Sequence, residues 1–97
     1  MESMFYGCGA LIQLDLSSFD TKNVTDMGYM FNGNPLLKTI YVSDNFVTSA
    51  CTSNPQLFSG DVSLVGGAGT TFNSSQNKLN YAHIDGGTSN PGYFTRK

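Results

Sequence analysis

The sequence predicts an α/β repeat: a solenoid of about three rungs, each a short strand plus a short helix, closed by a C-terminal β-hairpin. Three observations predict it. Met4, Phe5, Gly7, Leu11, Leu14, Leu16 and Ser17 recur 26 positions later as Met30, Phe31, Gly33, Leu37, Ile40, Val42 and Ser43. A weaker third copy follows 27 positions on, with Phe46, Cys51, Leu57, Phe58, Gly60 and Leu64 answering Phe19, Val24, Met30, Phe31, Gly33 and Leu37. After Leu64 and Val65 the pattern dissolves into Gly66-Gly67-Ala68-Gly69. A period between about 20 and 50 residues marks stacked units, each burying its apolar side only against its neighbours. The expected boundaries are rungs over 1–65, the first truncated at its N-terminus, and a cap over 66–97.

The strand of the first unit is carried by Leu11, Leu14 and Leu16. This is the L-x-x-L-x-L spacing of a leucine-rich-repeat-like rung, in which alternate residues point inward. Burying such leucines stabilises by roughly 1.5–3 kcal/mol each, which an isolated rung cannot achieve. Phe19 is expected to close the turn beneath the strand. Val24, Met27, Met30 and Phe31 then follow a helical spacing. Asn23 with Asp26 three residues on resembles a capping box, and Gly33 suits the position after a helix. Gly28 costs a helix about 1 kcal/mol relative to Ala, so the predicted helix is short and held by packing. The second strand is Lys38–Val42, in register with the first. In the third unit Asn54-Pro55 opens and Gly60 closes a single helical turn. The cap is read as a hairpin of Thr70–Asn73 and Asn80–Asp85, followed by an irregular Gly86–Thr95 tail.

Composition narrows the function. Only 12% of the 97 residues are charged, about half the usual share, and the net charge is −2. No basic patch exists to neutralise phosphates, which argues against nucleic acid. No apolar run approaches the roughly 20 residues that cross a bilayer, so no membrane insertion by this segment is expected. The N-terminus lacks the basic and apolar regions of a secretion signal. The chain begins partway through a unit, and Met1, Met4 and Phe5 form an open apolar end, so the expectation is the C-terminal part of a longer array. That open end, with Leu11, is expected to drive self-association or fraying.

The residues 4–8 (Met-Phe-Tyr-Gly-Cys), 14–27 (Leu-Asp-Leu-Ser-Ser-Phe-Asp-Thr-Lys-Asn-Val-Thr-Asp-Met) and 30–31 (Met-Phe) resemble the BspA-like leucine-rich-repeat surface proteins of bacteria. The match is to the branch with repeats of about 26 residues and unknown function. Residues 64–71, 81–87 and 91–95 resemble the segment that ends such arrays. The chain departs from the pattern at Asn34, where the repeat prefers Cys. The resemblance implies a secreted or surface-anchored protein, for some members adhesion to host or neighbouring-cell components, and no catalysis.

Candidate chemistry is sparse. Cys8 and Cys51 are the only cysteines. Their register, two rungs apart at about 4.8 Å per rung, exceeds the roughly 7 Å a disulfide tolerates. They are expected to be buried free thiols, with no disulfide and, with one histidine, no structural zinc site. His83 stands two residues from Asp85, yet no G-x-S-x-G elbow marks a serine nucleophile. Gly66–Gly69 lacks the Lys and Ser/Thr of a P-loop, and Asp15, Asp20, Asp26, Asp44 and Asp61 are too scattered for a calcium loop. No metal or other cofactor is expected.

What remains is the strand face, where Gln13 and Asp15 stack beside Thr39 and Tyr41. Stacked strands make extended binding surfaces, and Tyr is favoured at interfaces. The expected function is a non-enzymatic bacterial cell-surface adhesion module, binding a host or neighbouring-cell protein or glycan through these four residues. The alternative is a purely structural C-terminal cap with recognition elsewhere; a small hydrolase using His83 is the formal third reading.

Overall fold

The computed structural model describes residues 4–51, 57–74, 76 and 81–97. Three short strands form one parallel sheet in the order β1-β2-β3: β1 is Gln13–Leu16, β2 is Thr39–Val42 and β3 is Phe94–Arg96. The register of β1 on β2 is Gln13↔Thr39, Leu14↔Ile40, Asp15↔Tyr41 and Leu16↔Val42. Each pair is one repeat apart, so the sequence period sets the pairing of these strands directly. Because side chains alternate along a strand, Leu16, Ile40 and Val42 are buried while Gln13 and Asp15 are exposed.

The α-helices of the expected α/β class are absent from the described residues, where the helical conformation is 3-10, at Gly87–Ser89 and at Tyr81. The fold is therefore not a solenoid of strand-plus-helix rungs, and the physical reason lies in where the backbone donors go. Phe31 N–H donates to the Leu57 carbonyl at 3.1 Å and Gly33 N–H to the Ser59 carbonyl at 2.9 Å. In the preceding unit Phe5 and Gly7 donate in the same way to Met30 and Asn32. A donor spent on the neighbouring unit is not available for an intrahelical bond. The expected capping box does not form either, since Asp26 Oδ1 accepts from Gly28 N–H at 2.9 Å, a local turn. Tyr29 then sits at φ 57°, a left-handed conformation that interrupts a right-handed helix. The apolar spacing read as helical is met by turns that bury Met27, Met30 and Phe31 completely. Asn54-Pro55, expected to open the third helical piece, lies outside the described residues.

The C-terminal hairpin is corrected as well. Val65 N–H still bonds the Lys38 carbonyl at 2.9 Å, as a third strand would begin. The repeat then places Gly67 and Gly69 where β2 has Ile40 and Val42, and glycine offers no side chain to bury. The chain turns away, making only an isolated antiparallel bridge between Val65 and Thr71. The vacated edge is filled by the tail instead: β3 pairs in parallel with β2 as Ile40↔Phe94, Tyr41↔Thr95 and Val42↔Arg96. The segment expected to be irregular thus supplies a sheet strand, and the described part of the expected hairpin contributes single bridges, Ile84 to Phe94 among them.

The core runs through equivalent positions of the repeats. Phe5, Phe31 and Phe58 stack with centroids 5.9 and 5.5 Å apart and planes within 6°. Phe94 meets this stack edge-on, 6.0 Å from both Phe31 and Phe58, and lies 4.8 Å from Phe46. At the β1 end the apolar surface is open: Met4 and Ile12 are exposed, and Phe5, Leu11 and Leu14 are only partly buried.

Candidate functional site

The strand face assembles as its residue types and register require. Gln13 lies beside Thr39, and Asp15, Tyr41 and Thr95 form a continuous row across the three strands. The structure thus brings the four expected residues together and adds Thr95, which sequence reasoning missed. It also adds Lys97. The Lys97 ammonium pairs with the Asp15 carboxylate and sits 5.6 Å from the Tyr41 ring centroid. Lys97, with the N–H of Ser17 at 3.0 Å from Asp15 Oδ1, holds the Asp15 carboxyl well below its usual range, and Asp15 in turn raises Lys97. Both side chains are about half exposed, so water screens the pair and its contribution to stability is small. Its significance is steric: the strand face is partly covered by the chain's own last residue. Arg96 and Asp44 make a similar exposed pair at the edge. Nothing local in the sequence announces partners this far apart in the chain.

The cysteines differ from expectation. Cys8 is exposed, at the open end, while Cys51 is half-buried with its thiol against the Val24 carbonyl at 3.3 Å; both are free. Position 8 recurs as Asn34 and then as Asp61, both fully buried. The Asn34 amide nitrogen donates to the carbonyls of Phe5 at 2.9 Å and Phe31 at 2.7 Å, tying consecutive units together. Asp61 Oδ1 accepts from Asn34 N–H at 2.9 Å, while Asp61 Oδ2 and Asn34 Oδ1 are buried without a partner. Burial pushes the Asp61 carboxyl up to about 8, against the opposing pull of the Asn34 N–H. An unfolded aspartate titrates near 4, so between these values the folded chain holds the extra proton. Stability is therefore expected to fall as pH rises from about 4 to about 8. Asp61→Asn keeps the Oδ1 acceptor and removes the charge. We expect it to flatten this slope and raise stability at pH 8 by about 1–3 kcal/mol. Urea melts at several pH values check this, and an unchanged slope in the variant would refute it.

Asp85 is the other buried carboxylate, 9% exposed. Its oxygens accept from Ala68 N–H at 2.9 Å, Thr70 N–H at 3.0 Å, the Thr70 hydroxyl at 2.7 Å, Gly87 N–H at 3.0 Å and Gly92 N–H at 3.3 Å. Burial pushes this carboxyl up, but the donors of Thr70, Gly87 and Ala68 outweigh it and bring it down to about 2. The loops must approach closely to share one side chain. A Cβ on Gly66 would lie 2.2 Å from the Gly92 carbonyl oxygen, and one on Gly92 would lie 2.4 Å from that of His83. The sequence placed Asp85 beside His83 and gave it no role of its own; the surrounding glycines at 66, 67, 86, 87 and 92 were the available signal.

His83 and Asp85 are not brought together as a catalytic pair. His83 Nδ1 lies 2.9 Å from the Ile84 carbonyl, and the carboxylate is engaged by the loops. Among the described residues no three His, Cys, Asp or Glu side chains gather to hold a metal ion, and no helix is long and apolar enough to cross a membrane.

Residues 1–88 match the family model described as Mycoplasma protein of unknown function, DUF285. No curated protein and no solved structure matches the chain.

Proposed function

We propose that this chain, which belongs to the DUF285 family, is a non-enzymatic binding module of a secreted or surface-anchored bacterial protein. Its finer placement among BspA-like leucine-rich-repeat adhesins rests on the sequence motifs of residues 4–31 and 64–95. The observation that carries the reading is the row Asp15–Tyr41–Thr95 with Gln13 and Thr39 beside it, side chains held in register by the ladder on one side of a sheet whose other side is core. A rigid strand face carrying an aromatic ring, an amide, hydroxyls and a carboxylate suits recognition of a protein or glycan surface. The target is a host or neighbouring-cell component. In this reading Lys97 is displaced from Asp15 when the ligand arrives.

The test is a surface-plasmon-resonance screen against extracellular-matrix proteins, followed by Tyr41→Ala on whichever binds. A drop of about tenfold or more in affinity is expected. Unchanged affinity would sink the strand-face assignment. A second reading is favoured by a specific observation: β3 occupies the edge that the third repeat abandons, which is what a structural cap does. Under that reading Tyr41→Ala changes nothing, and the role of the chain is to close a sheet.

A further inference from the structure

On the side of the molecule built by the loops, residues 68–74 and 87–91 with Tyr81 enclose a cleft of about 620 Å³. This is within the range of small-molecule sites. Its described lining contains no charged side chain. Polar groups come from Thr71, Asn73, Ser74 and Thr88, and two aromatic rings, Phe72 and Tyr81, form part of the wall.

The aromatic wall is fixed. Phe72 and Tyr81 both pack on the fully buried Tyr93, at centroid distances of 5.8 and 5.0 Å. The Tyr93 hydroxyl is held in turn, donating to the Gln76 carbonyl at 2.7 Å and accepting from Asn73 N–H at 3.0 Å. Both loop walls hang on one carboxylate: Asp85 takes Ala68 and Thr70 from one side and Gly87 and Gly92 from the other. A cleft whose walls are clamped before a ligand arrives loses little entropy on binding.

The chemistry of the lining selects the ligand class. An ion finds no countercharge there. A purely apolar ligand would strip water from the threonine hydroxyls without replacing it. A peptide backbone would look for main-chain donors, but those of Ala68, Thr70 and Gly87 are already spent on Asp85. Hydroxyl and amide side chains around aromatic faces suit a molecule with hydroxyl edges and C–H faces. We infer that the cleft between residues 68–74 and 87–91 is a binding site for a short neutral oligosaccharide, seated against Phe72 and Tyr81. This inference rests on the binding-module reading while placing a ligand away from the strand face.

Nitrogen-15 NMR titration of the whole chain with maltotriose, triacetylchitotriose and lactose tests it. At least one sugar is expected to shift the amides of residues 69–73 and 87–89. Thr88→Lys places a charge at the exposed rim, where folding is indifferent, and is expected to weaken that sugar at least fivefold. Tyr81→Ala is expected to weaken it about tenfold, and Tyr41→Ala to leave it unchanged. Loss of binding in Tyr41→Ala with retention in both cleft variants would overturn the inference and support the strand face instead. Failure of all three sugars to shift any cleft amide overturns it too, leaving the strand face to be judged by the matrix-protein screen.

Discussion

Asp85→Ala is expected to remove about 3–5 kcal/mol of stability, read as a lowered urea midpoint, and to release the loops around residues 68–70 and 86–92. The carboxylate answers four backbone N–H groups and one hydroxyl. Alanine leaves those donors facing each other in a partly buried space, and each unsatisfied donor costs about 1 kcal/mol or more. Small domains have only about 5–15 kcal/mol in hand, so the loss approaches unfolding. The acid limb of the stability curve gives an independent check. The folded carboxyl, at about 2, lies below the value near 4 of an unfolded aspartate. The unfolded chain therefore takes up the proton first as pH falls. The contribution of Asp85 is complete above about pH 4 and disappears as pH falls to about 2. Asp85→Asn should lose this acid-dependent component; a variant retaining it would show that the clamp is energetically idle. The sign is opposite to that of Asp61, whose burial outweighs its single donor, Asn34 N–H, and makes the chain less stable towards alkaline pH.

Phe94→Ala is expected to cost a comparable 3–5 kcal/mol. Phe94 is fully buried and touches Phe31, Phe46 and Phe58, so it closes the aromatic core from the sheet side. Truncation leaves a cavity bordered by three rings drawn from two repeat units, and such rings cannot collapse into it without moving the ladder. Phe5→Ala, at the open end of the same stack, should cost much less because Phe5 is only partly buried. Equal costs, or a loss below about 1 kcal/mol at Phe94, would mean that β3 is an ornament and not part of the core. Hydrogen exchange on Ile40–Val42 would locate the effect, since β3 covers that edge.

The strand face was legible because it depends on two local rules, the repeat spacing and the alternation of side chains. Gln13, Asp15, Thr39 and Tyr41 follow from those alone. The cleft was not legible. Its walls come from segments with no period, and its rigidity comes from Asp85 and Tyr93, which hold partners 15–20 positions away in the chain. The helices were misread because Val24, Met27, Met30 and Phe31 have the same spacing whether their backbone donors close on themselves or on the next unit. Propensity and spacing describe one unit, while the choice between those bonds is made by its neighbour.

By itself the sequence determined the repeat, its 26-residue register, the identity of the inward and outward positions, and where the repeat fails at Gly66–Gly69. Only the tertiary structure decided what happens at that failure. A sheet edge with Ile40 and Val42 exposed beside it must be covered, and the third unit had only glycines to offer. The tail carried Tyr93-Phe94, an aromatic pair able to fill both the edge and the core, and the buried apolar area it brings outweighs the entropy of ordering it. That competition between two distant segments for one edge is settled by packing, which no single segment encodes.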